Sequence, residues 1–123
     1  MNKNIIYIFL ILCAIVHNIG CAAKNDTKQP IQLVIVSAYN CDSCSSIDDN
    51  VEYLQCIDST LKIKKVDIHN PEGAMYVSQY RLWRIPVYLF LDGKGRELNR
   101  LEGEQYRSEI ENGLLIAKQR KTK

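Results

Sequence analysis

The sequence predicts one α/β domain, a four-stranded mixed sheet flanked by helices in the order β-α-β-α-β-β-α. Runs of β-branched and aromatic residues alternate with segments whose apolar residues recur at helical spacing, and the most apolar strands need cover on both faces. The chain has 123 residues, 46% of them hydrophobic and 24% charged, which is enough for one such domain and too few for two. This composition argues against a disordered chain and against a polytopic membrane protein.

The first half of the domain is predicted as strand, helix, strand. Residues 31–39 (IQLVIVSAY) form a β-branched run that is typical of a strand buried on both faces. A helix to about Asp58 follows, indicated by the amphipathic stripe of Ile47, Val51 and Leu54. Residues 61–68 (LKIKKVDI) predict the second strand. Strands joined by a helical crossover are expected to be parallel.

The second half is predicted as helix, hairpin, helix. Asn70-Pro71 indicates a helix start, with Asn as the cap and Pro at the first position, and this helix continues to about Tyr80. Residues 87–91 (VYLFL) predict a third buried strand, and the turn 92–95 (DGKG) joins it to a more polar edge strand over residues 96–102. The hairpin adds an antiparallel partner. A last amphipathic helix is marked by Tyr106, Ile110, Leu114 and Ala117.

The chain begins with the features of an export signal. Lys3 supplies a positive charge, and residues 5–16 are an apolar run that is too short for a bilayer span of about 20 residues. Gly20-Cys21 follows and resembles a bacterial lipobox, in which the cysteine is lipidated and becomes the mature N-terminus; Asn18 departs from that pattern.

This interpretation divides the chain into four parts. They are a signal peptide of the lipoprotein type over residues 1–20, a polar tether over 21–30, the domain over 31–118 and a basic tail over 119–123. Ordinary cleavage nearby and an uncleaved anchor are the alternatives to lipidation. All three place the domain outside the cytoplasm. The expected location is the bacterial cell envelope, with the domain anchored to the membrane on its periplasmic or extracytoplasmic face.

Two cysteines three positions apart follow the first strand. Cys41 is predicted at the N-terminus of a helix, where free N–H groups and the helix dipole favour a thiolate, and Cys44 inside the first turn, where it resolves a mixed disulfide. This placement predicts thiol–disulfide exchange that needs no cofactor. A structural disulfide is one alternative, and half of a zinc site completed by Cys56 and His69 is another. Cys56 is otherwise interpreted as an isolated thiol, with an intermolecular disulfide as the alternative.

The sequence resembles the thioredoxin family over residues 31 to about 118. Besides the Cys41-Asp42-Ser43-Cys44 motif, the likeness rests on Ile85-Pro86, which matches the family's cis-proline, on the turn 92–95 and on Gly103. The resemblance implies a thioredoxin fold of minimal size.

The same resemblance implies a substrate-binding loop. Pro86 is expected to be cis and to face the dithiol, and Ile85 is expected to bind the substrate backbone. Trp83, three positions before the proline, is either a substrate contact beside the dithiol or an aromatic side chain packed beneath the loop.

The departures from the family bear on redox chemistry. The usual Trp-Cys-Gly-Pro-Cys is Asn40-Cys41-Asp42-Ser43-Cys44 here, so Asp42 and Ser43 are expected to tune the dithiol. The negative charge of Asp42 raises the cost of a thiolate and favours a reducing couple. The buried acid that many thioredoxins carry six residues before the first cysteine is Ile35, which leaves the base for the second cysteine unnamed.

The prediction is therefore a membrane-tethered reductant of protein disulfides. Its expected partners are cysteine-containing envelope proteins, a membrane thiol-reductant electron donor, and the membrane itself through lipidated Cys21. No metal is expected, and the scattered net charge of +2 forms no basic stripe for nucleic acid. The missing acid and the Asp42-Ser43 pair favour a second hypothesis, a thioredoxin-fold binding module with a structural or weakly active disulfide.

Overall fold

The computed structural model describes residues 29–123, which form a four-stranded mixed sheet covered by helices. The strands are β1 (Gln32–Ser37), β2 (Lys62–Asp67), β3 (Val87–Leu91) and β4 (Glu97–Glu102). The helices are α1 (Ile47–Ile57), α2 (Pro71–Tyr80) and α3 (Arg107–Lys121). The predicted order β-α-β-α-β-β-α is confirmed.

The sheet has the strand order β2-β1-β3-β4, and β4 lies at an edge as predicted. β1 and β2 are parallel, whereas β3 is antiparallel to both β1 and β4. The expectation that a helical crossover makes strands parallel is therefore confirmed for β1 and β2 and wrong for β3. The chain leaves α2 through Arg81, which has a left-handed conformation (φ 52°), and re-enters the sheet at the end where β1 and β2 finish, so β3 runs in the opposite direction to both.

The two central strands, β1 and β3, are buried on both faces, as their apolar sequences predict. Successive side chains along each strand lie on opposite faces of the sheet and therefore enter two separate cores. The core beneath α1 and α3 includes Leu33, Ile35, Leu54, Tyr88, Phe90 and Ile110. The core beneath α2 includes Val34, Val36, Tyr76, Val87, Leu89 and Leu91. The solid apolar runs are thus explained by helices on both sides of the sheet.

The last helix is longer than its apolar stripe predicts. α3 continues to Lys121, so most of the predicted basic tail is helical. Lys118 contacts Asp58 with 2.7 Å between Nζ and Oδ2, and a guanidinium N–H of Arg120 donates to the C=O of Leu98 at 2.8 Å. These contacts hold the basic end of α3 against the domain.

The predicted signal peptide, Cys21 and the tether up to residue 28 lie outside the described residues. Within residues 29–123, no helix has the length and apolar character required to cross a bilayer.

Candidate active site

Cys41 and Cys44 are joined by a disulfide in the turn that follows β1. Cys41 has extended torsions, and residues 42–44 form one 3₁₀ turn closed by a 3.1 Å hydrogen bond from the N–H of Cys44 to the C=O of Cys41. α1 begins only at Ile47, so the prediction that Cys44 lies inside its first turn is wrong. The reason is local: the cysteine turn closes with an i→i+3 bond, and the α-helical i→i+4 ladder starts from the C=O of Ser46.

The two residues between the cysteines differ in their contacts. The hydroxyl oxygen of Ser43 lies 3.3 Å from the sulfur of Cys41, within reach of a weak hydrogen bond. The side chain of Asp42 is exposed, so its charge lies beside the disulfide without a partner among residues 29–123. A polar, negatively charged turn therefore surrounds the sulfur that is predicted to attack.

The Ile85–Pro86 peptide bond is cis, as the resemblance implies. Val36 of β1 pairs with Val87 of β3, which places Pro86 at the sheet end from which the cysteine turn emerges. The N–H of Gly103 donates to the C=O of Pro86 at 2.7 Å, and Gly103 adopts a φ of +83° that favours glycine. This hydrogen bond therefore attaches the proline loop to the segment that follows β4.

Two exposed features of this loop are available to another chain. Among the described residues, no hydrogen-bonding partner is found for the N–H or the C=O of Ile85, although its side chain is half-buried. The side chain of Trp83 is 88% exposed, so the alternative of packing beneath the loop is wrong. An exposed aromatic ring and an unbonded peptide unit are the kinds of groups that bind an extended peptide.

A cleft of about 480 Å³ opens along the other side of the disulfide. It lies between the cysteine turn, the start of α1 and the end of β2. Its lining includes Tyr39, Cys41, Cys44, Asp48, Lys65, Asp67 and Asn70. Both sulfur-bearing residues therefore face a solvent-filled space that also holds charged side chains.

Asp67 ties the cysteine turn to the end of β2. Its carboxylate accepts hydrogen bonds from the N–H of Tyr39 at 2.9 Å and from the N–H of His69 at 2.8 Å, and it contacts Nδ1 of His69 at 2.8 Å. The backbone hydrogen bond from His69 is the main cause that lowers the pKa of Asp67. The ring of Tyr39 is 85% exposed and lies 5.4 Å from the His69 ring, centroid to centroid. His69 is thus part of a surface turn, as predicted.

The position of the family's buried acid is apolar in this chain. Ile35 is fully buried in the core beneath α1, and its cross-strand neighbour on β2 is Lys65. Lys65 instead forms an ion pair with Asp48 of α1, with 2.7 Å between Nζ and Oδ1. Asp48 carries no signal in the sequence, because only the strand register and the helix position bring these two side chains together.

Cys56 is an exposed free thiol on α1. Within residues 29–123, no group of three or more His, Cys, Asp or Glu side chains is arranged to hold a metal ion. The alternative in which Cys56 and His69 complete a zinc site with the two bonded cysteines has no counterpart in this part of the chain.

Comparison with solved structures identifies the fold. The chain is similar to a Fasciola hepatica thioredoxin, with 24% identity, a TM-score of 0.61 and coverage of 74% of this chain and 84% of that one. It is also similar to the thioredoxin NaTrxh from Nicotiana alata, with 22% identity, a TM-score of 0.61 and coverage of 74% of this chain and 77% of that one. For oxidized mitochondrial thioredoxin 3 from Saccharomyces cerevisiae, the identity is 16%, the TM-score is 0.61, and the coverage is 72% of this chain and 80% of that one. No family model matches the sequence. No curated protein matches it.

These likenesses show that the chain has a thioredoxin fold, and the disulfide occupies the Cys-x-x-Cys motif within it. The disulfide and the cis-proline loop lie at the same end of the sheet.

Proposed function

We propose that this chain is a membrane-tethered thiol–disulfide oxidoreductase on the outer side of a bacterial cytoplasmic membrane or envelope, where it reduces disulfides of cysteine-containing proteins. One observation carries the proposal: the Cys41–Cys44 disulfide lies at the same end of the sheet as the unbonded peptide unit of Ile85 and the cis Pro86. In a thioredoxin fold, this arrangement brings a substrate strand and the attacking sulfur together.

The exchange of disulfide bonds takes place in two steps. The thiolate of Cys41 attacks one sulfur of the substrate disulfide; a Cys41–substrate S–S bond forms, the substrate bond breaks, and the other substrate sulfur leaves as a thiolate that takes a proton from water. Cys44 then loses its proton and attacks the sulfur of Cys41, which forms the Cys41–Cys44 disulfide and releases the second substrate thiolate. Two electrons pass from the protein to the substrate.

The surroundings of Cys41 support the reducing direction. The carboxylate of Asp42 disfavours a neighbouring thiolate, and a dithiol whose thiolate is costly is a better reductant. A reductant that works outside the cytoplasm has to be reduced again, so the proposal includes a membrane thiol-reductant partner that returns two electrons to the disulfide. Trp83 and Tyr39, both exposed, flank the substrate path and contribute contact area.

The test of the activity is a pair of cysteine variants of the full-length chain. Cys44→Ser should retain a covalent mixed disulfide with cysteine-containing envelope proteins, because nothing then resolves the intermediate, whereas Cys41→Ser should retain none. The wild type should also catalyse the reduction of insulin by dithiothreitol. Absence of trapped complexes together with absence of turnover would favour the binding module over the enzyme.

The tether is tested separately. Mass spectrometry of the protein isolated from bacterial membranes should give Cys21 as the N-terminal residue, carrying acyl chains. A mature N-terminus elsewhere, without lipid, would refute lipidation and leave the exchange chemistry untouched.

A further inference from the structure

The resolving step needs a group that takes the proton from Cys44, and the usual buried position for it is apolar. Ile35 occupies that position with no exposed surface, so it supplies no base. The polar groups nearest to this point in the sheet register belong to Lys65, which is the Cα partner of Ile35 on β2. The side chain of Lys65 in turn holds the carboxylate of Asp48 at 2.7 Å.

Asp48 lies one helical turn beyond Cys44. The residues between the cysteine turn and α1, Ser45 and Ser46, both have right-handed helical torsions (φ −62°, ψ −29° and φ −84°, ψ −2°), so the backbone keeps a helical course. Side chains four positions apart on such a course are neighbours on one face, with about 6 Å between their Cβ atoms. Both residues also line the same cleft, and so does Lys65.

We propose that Asp48, held in place by Lys65, is the general base that accepts the proton of Cys44 when Cys44 attacks the mixed disulfide. This inference rests on the proposed oxidoreductase function. The carboxylate accepts the Cys44 proton across the cleft; the Cys44 sulfur forms its bond to the Cys41 sulfur; and the Cys41–substrate bond breaks. The released substrate thiolate then takes a proton, so Asp48 returns to its ionised form. In the reverse direction, the protonated carboxyl reprotonates Cys44.

Other charged or titratable groups face this cleft. Besides the two cysteines they are the phenol of Tyr39 on the cysteine turn, Asp48 on α1, and Lys65 and Asp67 on β2. Asp67 is already committed to hydrogen bonds with two backbone N–H groups and contacts the His69 ring. Lys65 donates and does not accept. In Asp48 only Oδ1 contacts Lys65, so among the described residues Oδ2 is left without a partner, and the side chain is 82% exposed.

The chain offers a matched control on the opposite face of the sheet. Lys64 precedes Lys65 on β2 and forms an ion pair with Glu72 of α2. This pair has the same chemistry, with Glu72 less exposed than Asp48 (47% against 82%), and neither of its residues lines the cleft of the disulfide. A change in Glu72 thus reproduces the loss of one strand-to-helix ion pair without touching the path of the Cys44 proton.

The experiment separates attack from resolution. In the full-length chain carrying Cys13→Ser, Cys21→Ser and Cys56→Ser, the reduced protein is mixed with dithiobis(nitrobenzoate) in a stopped-flow instrument. The first thionitrobenzoate reports the attack of Cys41, and the second reports resolution by Cys44. Asp48→Asn should slow the second phase about tenfold near pH 7 and leave the first phase unchanged. This factor is smaller than the usual contribution of a general base, because the carboxylate is exposed.

The controls decide between a base and a structural role. Glu72→Gln should change neither phase, and Asp48→Glu should recover most of the lost rate. The deficit of Asp48→Asn should shrink above about pH 9, where an ordinary thiol ionises without help. Equal slowing in Asp48→Asn and Glu72→Gln, a deficit independent of pH, or an unchanged second phase would overturn the inference. If no second phase occurs even with Asp48 present, the proposed function fails instead.

Discussion

Asn50 is the buried polar side chain of the described core, and its replacement gives a sharp test of how the site is assembled. It lies on α1 with 3% of its surface exposed. Its amide donates to the hydroxyl of Tyr88 on β3 at 3.2 Å and to the C=O of Gln105, before α3, at 3.1 Å. One side chain thus joins the helix behind the disulfide to the strand that begins after Pro86.

The expected cost of Asn50→Ala follows from these two bonds. Each of the two hydrogen bonds contributes about 1 kcal/mol net, and the loss of the Asn50 amide as a partner of the fully buried Tyr88 hydroxyl adds a desolvation penalty of about 1 kcal/mol. The sum is about 3 kcal/mol. For a domain of about 100 residues, each kcal/mol corresponds to about 4–8 °C in Tm, so a decrease of roughly 12–24 °C is expected.

Thermal and urea denaturation measure this loss, and two further variants test its cause. Asn99→Ala, which removes a single half-buried bond to the C=O of Gly113 (3.0 Å), should cost about 1 kcal/mol. Combining Asn50→Ala with Tyr88→Phe should be less damaging than the sum of the two, with a coupling of about 1 kcal/mol. A loss for Asn50→Ala no larger than that for Asn99→Ala, or strict additivity with Tyr88→Phe, would refute the reasoning.

Three further outcomes are expected. Cys56→Ser should leave insulin reduction unchanged, because the thiol is exposed and isolated; a large loss would show that it takes part. Asp42→Asn should stabilise the thiolate of Cys41 and raise the reduction potential by up to about 30 mV in glutathione redox titrations; a lower potential would contradict the charge argument. Lys118 lowers the pKa of Asp58, so this stabilisation is present above about pH 4 and is lost as the pH falls through the lowered value. Asp58→Asn should therefore be less stable than wild type in urea at pH 7, and the difference should shrink as the pH falls below about 4.

Local patterns in the sequence predict the elements well, and long-range geometry accounts for the errors. The run VYLFL gives β3 at its observed bounds, and Asn70-Pro71 gives the start of α2, because both signals depend on a few adjacent residues. The predicted direction of β3 is wrong because it depends on the end of the sheet to which the loop 81–86 returns the chain, and no few adjacent residues specify that end. The predicted start of α1 is too early, since the two serines after Cys44 carry no apolar signal to mark where the i→i+4 hydrogen bonds begin.

The candidate site shows the same division in chemical terms. The two cysteines and Ile85-Pro86 were found because the fold needs them at fixed places in the chain. The position of Trp83 before the proline also marks it in the sequence, but the exposure of its ring and of the Tyr39 ring depends on the tertiary structure and could not be predicted.

The proposed base occupies a different place from the buried acid of many thioredoxins. Ile35 fills the interior position on β1, whereas Asp48 lies on the surface of α1 with its side chain 82% exposed. Solvent screens an ion pair at such a position, so the contact between Asp48 and Lys65 should contribute little to the stability of the fold. Asp48→Asn should therefore lower the midpoint of urea denaturation by less than Asn50→Ala does, and a slowed second phase in that variant would then report lost proton transfer; equal losses of stability in the two variants would contradict this.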